Sequence, residues 1–250
     1  MGARNERLDL DSLVLPQLRG PREQVLTSLM AASGRDDAQQ MLRVGAKVMA
    51  EVEANRHLPT AATAPAHHIY TGVLFEALGA ASLTSSQRRR AAEQVLIFSG
   101  LFGVTNFTDL VPAYRLAMGV NLRPFGDERD PGQLGTYWRK ALTQPLGALI
   151  GDQLVVDCRS SSYVAAFRAP AHQTLMVNSF TEADGRRKVV THFAKQARGT
   201  LAGMLLRQDT MPTNIEEVAQ IAAGHWHVEV RPAHGSTPHQ LDLITVAEQH

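Results

Sequence analysis

The chain has 250 residues, of which 44% are hydrophobic and 20% charged, a composition that suits a folded globular protein and excludes a disordered one. Its formal net charge is only +1, and no run reaches the roughly 18 consecutive apolar residues of a membrane helix. The lone cysteine excludes an internal disulfide framework and fits a reducing compartment. The first residues, MGARNERLDLDS, are polar and charged and lack the apolar centre of a signal peptide, which predicts the cytoplasm.

In chain order, PREQVLTSLM over 21–30 has apolar residues at helical spacing and a proline in its first turn, which predicts a helix. Helical character continues over 36–54, with Met41, Val44, Val48 and Val52 on one face and Gly45 as a weak point. Residues 58–68, rich in Ala, Thr and Pro, read as loop. Short helices follow over 71–80 and 85–94, the second exposing Arg88, Arg89 and Arg90. The apolar run 95–98 reads as a buried strand ending on a glycine turn. The loop after it carries Asp109, Pro112, Tyr114 and Arg115 to Gly119. An aromatic, a fixed cation and punctuating glycines beside a strand end suit a binding site.

A helix is predicted over 134–149, bearing Tyr137 and Trp138, then a buried strand over 154–157. Strand-like runs at 174–180 and 187–191 flank Asp184 and Gly185, and Asp-Gly between two such runs is a hairpin signal. Amphipathic helices follow over 191–207 and 214–222, the latter capped by Thr213 or Asn214. Residues 225–230 and 241–246 alternate like a final strand pair. The sum is an α+β protein, read as one domain over 1–250, with a sheet both parallel and antiparallel.

Charge is uneven along the chain. Residues 1–60 carry eight basic and eight acidic side chains, residues 61–208 sixteen and ten, and residues 209–250 one and six. The excess in the middle favours an anionic partner there. Within it, Arg186, Arg187 and Lys188 follow the hairpin turn. His192, Lys195 and Arg198 recur every third residue on the next helix, a spacing that suits phosphate oxygens and equally describes a solvated helix face. Gly199 would allow close backbone approach. Tyr70, Tyr114 and Trp138 can stack a base beside Arg115 or serve as core aromatics, with Trp138 the stronger core candidate. Arg159, Ser160 and Ser161 open a short helix after the strand that ends at Asp157. Cys158 beside Arg159 is a candidate for a lowered pKa. His225 and His227 share a strand face, but no third ligand is indicated by spacing. No Walker loop, dinucleotide fingerprint or serine elbow is present.

Six segments occur in one order: YTG at 70–72, SGLFG at 99–103, PAYRLAMG at 112–119, YW at 137–138, VDCRSS at 156–161 with Tyr163, and HFAKQARG at 192–199. Together they resemble the YaaA peroxide-stress protein family, over roughly residues 8–230. The resemblance implies a compact α+β fold with a mixed sheet flanked by helices. It also implies a cytoplasmic bacterial protein of the peroxide-stress response that limits free intracellular iron and binds duplex DNA, with no assigned reaction. It makes Lys195 and Arg198 the leading candidates for an anion site. The family opens with an apolar strand and a lysine-containing turn, and the first residues here correspond to those just after that strand; the tail after Val230 matches the family poorly.

The leading expectation is therefore binding of duplex DNA through phosphates by Tyr114, Arg115, Arg159, Ser160, Lys188, Lys195 and Arg198. Neither cofactor nor metal site is expected, nor a membrane partner; a small anionic ligand is the other candidate partner. The alternative is an enzyme acting on a nucleotide or nucleobase-like molecule with Asp109, Tyr114, Arg115, Ser160 and Lys195 converging. Iron sequestration by carboxylates and histidines is a third option. SGLFG as the turn of a helix-hairpin-helix element is a weak signal, opposed by the strand before it.

Overall fold

Apolar side chains at alternate positions over 174–177 and 241–243 build one sheet face, and helices with small-residue faces cover it. The structure is a computed structural model and describes residues 7–122, 131–183 and 186–246. Its elements in chain order are α1 (Arg19–Ser33), α2 (Ala38–Met41), α3 (Met49–Ala54), β1 (Thr63–Pro65), α4 (Ala66–Ile69), α5 (Val73–Leu78), α6 (Ser85–Gln94), β2 (Leu96–Ser99), β3 (Gly103–Asn106) and β4 (Leu110–Pro112). Then come α7 (Leu134–Ile150), β5 (Val155–Asp157), α8 (Ser161–Val164), β6 (Thr174–Ala183), β7 (Arg186–Lys188), α9 (Thr191–Leu206), α10 (Ile215–Ala223), β8 (His227–Arg231) and β9 (His239–Val246). The fold is α+β, with parallel and antiparallel pairing. The chain divides into two compact units.

Unit 1 comprises residues 1–69, 92–149 and 159–168. Its strands pair two by two: β1 antiparallel to β4, and β2 antiparallel to β3 in a hairpin. Helix α1 buries Val25, Leu26, Leu29 and Ala32, and α7 buries Leu134, Trp138, Leu142 and Leu146, each a stripe at helical spacing. Trp138 is a core residue: its indole N–H donates to the Gly100 carbonyl at 2.8 Å. Its ring lies where a Cβ on Gly103 would stand, 2.5 Å from Cε3, so the hairpin needs glycine there. Strands flank SGLFG on both sides, which removes the helix-hairpin-helix reading. The helix expected over 36–54 breaks after α2, because Arg43 turns left-handed (φ 53°) and Gly45 is extended; of its expected face only Val52 is buried. The expected loop 58–68 contains β1 and the start of α4.

Unit 2 comprises residues 70–91, 150–158 and 169–250. Its sheet runs β5-β6-β9-β8, with β6 parallel to both β5 and β9, β8 antiparallel to β9, and β7 antiparallel to the end of β6. Leu175, Val177, Leu241 and Leu243 pack against Ala197, Leu201 and Leu205 of α9 and Val218 and Ala222 of α10. The opposite face carries a polar cluster between Met176, Phe180 and Ile244: buried Asp242 accepts from Asn178 Nδ2 at 2.8 Å and Arg231 Nη2 at 3.0 Å. The Asp-Gly turn of the expected hairpin lies outside the described residues, but Ala183 pairs with Arg186 as a two-residue loop requires. Asn214 caps α10, accepting the Glu217 N–H at 2.9 Å, while Glu217 accepts the Thr213 N–H at 2.7 Å.

Candidate nucleic-acid interface

The seven expected site residues fall into two groups, Tyr114, Arg115, Arg159 and Ser160 in unit 1, and Lys188, Lys195 and Arg198 in unit 2.

In unit 1, the segment after β4 is fixed by buried Asn55. Its Oδ1 accepts the Arg115 N–H at 2.9 Å and its Nδ2 donates to the Arg115 carbonyl at 3.1 Å. That clamp leaves the Arg115 guanidinium half exposed, 3.5 Å from Glu51. Tyr114 packs edge-on against Phe102 and shares a 2.6 Å hydrogen bond with the Ser99 hydroxyl. Arg159 is held more tightly. Its guanidinium lies 4.0 Å above the Phe98 ring, and Nη2 donates to the Phe167 carbonyl at 2.9 Å. Ser160 stands at the start of α8 with its hydroxyl exposed, 3.4 Å from that of Ser162, and makes no side-chain capping bond. Tyr163 joins the two arginines. Burial raises its phenol pKa, the Met118 N–H and the Arg115 charge oppose the rise, and Arg159 Nη1 donates to its carbonyl at 3.4 Å.

Asp109 has a structural role that its acid-base candidacy did not foresee. Its carboxylate accepts the Val14 N–H at 3.1 Å and the Asn106 N–H at 2.9 Å, tying two distant segments together. Burial raises its pKa, while these bonds and the nearby Arg22 charge pull it down.

In unit 2, the residues of β7 and all those from Val189 to Phe193 are exposed, so residues 186–193 form one continuous accessible run. Arg187 within it is neutralised by Glu182 at 2.8 Å and by both carboxylate oxygens of Glu229 at 2.6 Å. Lys188 and Lys195 are exposed, and among the described residues neither meets a carboxylate. Arg198 is half-buried, and its Nε donates to the Val177 carbonyl at 2.8 Å. One edge of that guanidinium therefore holds α9 to β6.

Two expectations fail here for steric and dielectric reasons. A Cβ on Gly199 would lie 2.0 Å from the Leu74 carbonyl oxygen, so this glycine admits helix α5 rather than a phosphate. Burial pushes the Cys158 thiol up to about 12, Asp157 adds to the rise and Arg198 opposes it. A thiol so raised carries little thiolate near neutral pH, and the cation that opposes the rise is Arg198 rather than Arg159.

The sequence reading missed Val189, Val190 and Phe193, large apolar side chains exposed beside the two lysines. Helical periodicity puts Phe193 on the face of Ala197 and Leu201, which assigns it to the core. It stands instead in the first turn of α9, exposed. The run of charge and apolar residues from 186 to 195 was the available signal. Among the described residues no group of three or more His, Cys, Asp or Glu gathers to hold a metal ion, and no helix is long and apolar enough to cross a membrane.

Comparison with known proteins agrees with the motif order. A UPF0246 protein of Streptomyces coelicolor is 38% identical over 99% of this chain and 94% of its own length. Relatives of the same name from Corynebacterium glutamicum and Corynebacterium efficiens are each 38% identical, over 94% and 89% of this chain and 93% and 87% of their own. The model of the peroxide stress protein YaaA family matches residues 5–231, so the chain belongs to that family.

Proposed function

We propose that this YaaA-family protein serves the peroxide-stress response in the cytoplasm by binding duplex DNA through its phosphates, and so helps limit free intracellular iron. The observation that carries the reading is the accessible run of unit 2, where Lys188 and Lys195 stand exposed without a carboxylate partner among the described residues. Unneutralised lysines release condensed counterions when they meet phosphates, which gives sequence-tolerant and salt-sensitive affinity. The positive excess of residues 61–208 supports it. Arg115, with Tyr114 and Ser160, offers a second set of phosphate and base contacts, while Arg159 and Arg198 serve mainly to hold the surfaces that present them.

Binding to a short duplex across a salt series tests the reading. The Lys188→Ala/Lys195→Ala variant should bind more weakly, and its slope of log affinity against log salt should flatten by about 0.9 for each phosphate no longer neutralised. A folded protein that fails to bind duplex at low salt overturns the proposal. In peroxide-challenged cells, the same variant should fail to restore chelatable iron to the level that the intact chain maintains.

A further inference from the structure

Three of the large exposed apolar side chains of this protein stand within five residues of one another: Val189, Val190 and Phe193, exposed to 64%, 39% and 54%. Exposed apolar side chains gathered this closely mark an interaction surface. What adjoins these is cationic. Arg186 and Lys188 precede Phe193 on β7, and Lys195 lies two residues further along α9, on another side of that helix, while the carboxylates Glu182 and Glu229 are both engaged by Arg187. Phe193 has one aromatic neighbour among the described residues, the exposed His192 ring, edge-on at 6.0 Å. The run is therefore apolar from Val189 to Phe193 and cationic on its β7 side, the complement of a polyanion with flat apolar faces inside it.

We propose that Phe193, assisted by Val189, is a wedge that enters the base stack of duplex DNA held by Lys188 and Lys195. The inference rests on the DNA-binding reading above and assigns the contact that reading lacks. Lysine–phosphate contacts alone would leave the apolar run facing water; insertion between base steps buries it and bends the duplex. The phenyl ring supplies the stacking surface, and the two valines fill the widened groove beside it.

A duplex carrying 2-aminopurine next to an adenine tests this, because the probe brightens when its stacking is broken. The intact protein should brighten the probe on binding. Phe193→Ala should abolish that signal and weaken binding about tenfold, with the salt slope unchanged, since every lysine–phosphate pair is retained. Phe193→Trp should restore the signal, and Lys188→Ala/Lys195→Ala should flatten the slope. Phe193 is exposed, so its variants keep the fold; circular dichroism checks this. If Phe193→Ala binds with unchanged affinity, or if the intact protein binds without brightening the probe, the wedge is overturned while the DNA reading stands. If Phe193→Ala converts a dimer to a monomer and leaves DNA binding intact, the patch joins two copies of the chain, and the wedge is likewise overturned. No binding by the intact protein overturns both.

Discussion

In unit 1 the strands pair only two by two, so buried carbonyls lie outside any ladder, and one side chain collects five of them. Arg22, fully buried on α1, donates to the carbonyls of Leu10, Val14, Leu15, Phe102 and Val104. In unit 2 a continuous sheet satisfies its own backbone, and its helices come close through the absence of side chains. Gly199 and Gly203 let α9 meet the carbonyls of Leu74 and Leu78 on α5. Irregular backbone is met by arginine in both units, since Arg90 and Arg207 of unit 2 each donate to carbonyls at the ends of its helices, but only unit 1 gathers five carbonyls on one fully buried side chain.

The largest effect expected from this contrast is at Arg22. Arg22→Met keeps the volume of the apolar stem but takes the side-chain donor from five carbonyls. Those of Leu15 and Phe102 keep a backbone N–H, from Leu18 and Val104, and those of Leu10, Val14 and Val104 lose the donor that reached them. The substitution should destabilise the protein by at least ~3 kcal/mol, given about 1–3 kcal/mol per buried unpaired group. Arg22→Lys should not rescue it, because an ammonium cannot reproduce the planar fork. Urea unfolding measures both, and a loss below about 1 kcal/mol would show that Arg22 is no such hub.

Next comes Gly199→Ala. Its Cβ would lie 2.0 Å from a backbone oxygen that cannot rotate away, so α5 must shift, at about 2–3 kcal/mol. Gly147 on α7 has nothing within 4 Å of its Cβ position, and alanine there should stabilise by up to ~1 kcal/mol. Thermal unfolding of the two variants should therefore shift in opposite directions. A Gly199→Ala variant that is not destabilised would mean that helix packing in unit 2 is looser than the geometry says.

A further effect is alkaline and belongs to Cys158. Its thiol titrates at about 12 when folded but at about 8.5 when unfolded. Between those values the folded chain keeps a proton that the unfolded chain has lost, so this contribution is complete below about pH 8.5 and declines as pH rises. Denaturant unfolding at about pH 7.5 and about pH 9.5 should show a decline that Cys158→Ala abolishes. An unchanged decline in the variant would assign the slope to other groups.

Much of the architecture was legible in residue patterns. Periodicity located α6, α7, α9 and the two strands that close the chain, and Asp184-Gly185 marked the hairpin between β6 and β7. The helix over 36–54 was misread because apolar spacing says nothing of the left-handed turn at Arg43 or of which face finds a core. The candidate site was legible as a set of residue types and not as a set of roles. Asp109, Arg159 and Gly199 look like chemistry in sequence, yet they meet Val14, Phe98 and Leu74, partners that spacing cannot supply. Phe193 looks like core because a helical wheel has no ends.

Residue order alone settled the α+β class, the family and the positive middle of the chain. These follow from local order, and local order is written residue by residue. Which cations remain available was settled by folding. Arg187 is cancelled by Glu229, 42 residues away, and Arg198 is anchored to a carbonyl 21 residues back, while Lys188 and Lys195 stand exposed without a carboxylate partner among the described residues. A charge is available to a ligand only where folding has brought no closer acceptor to it, and that depends on segments that sequence distance does not connect.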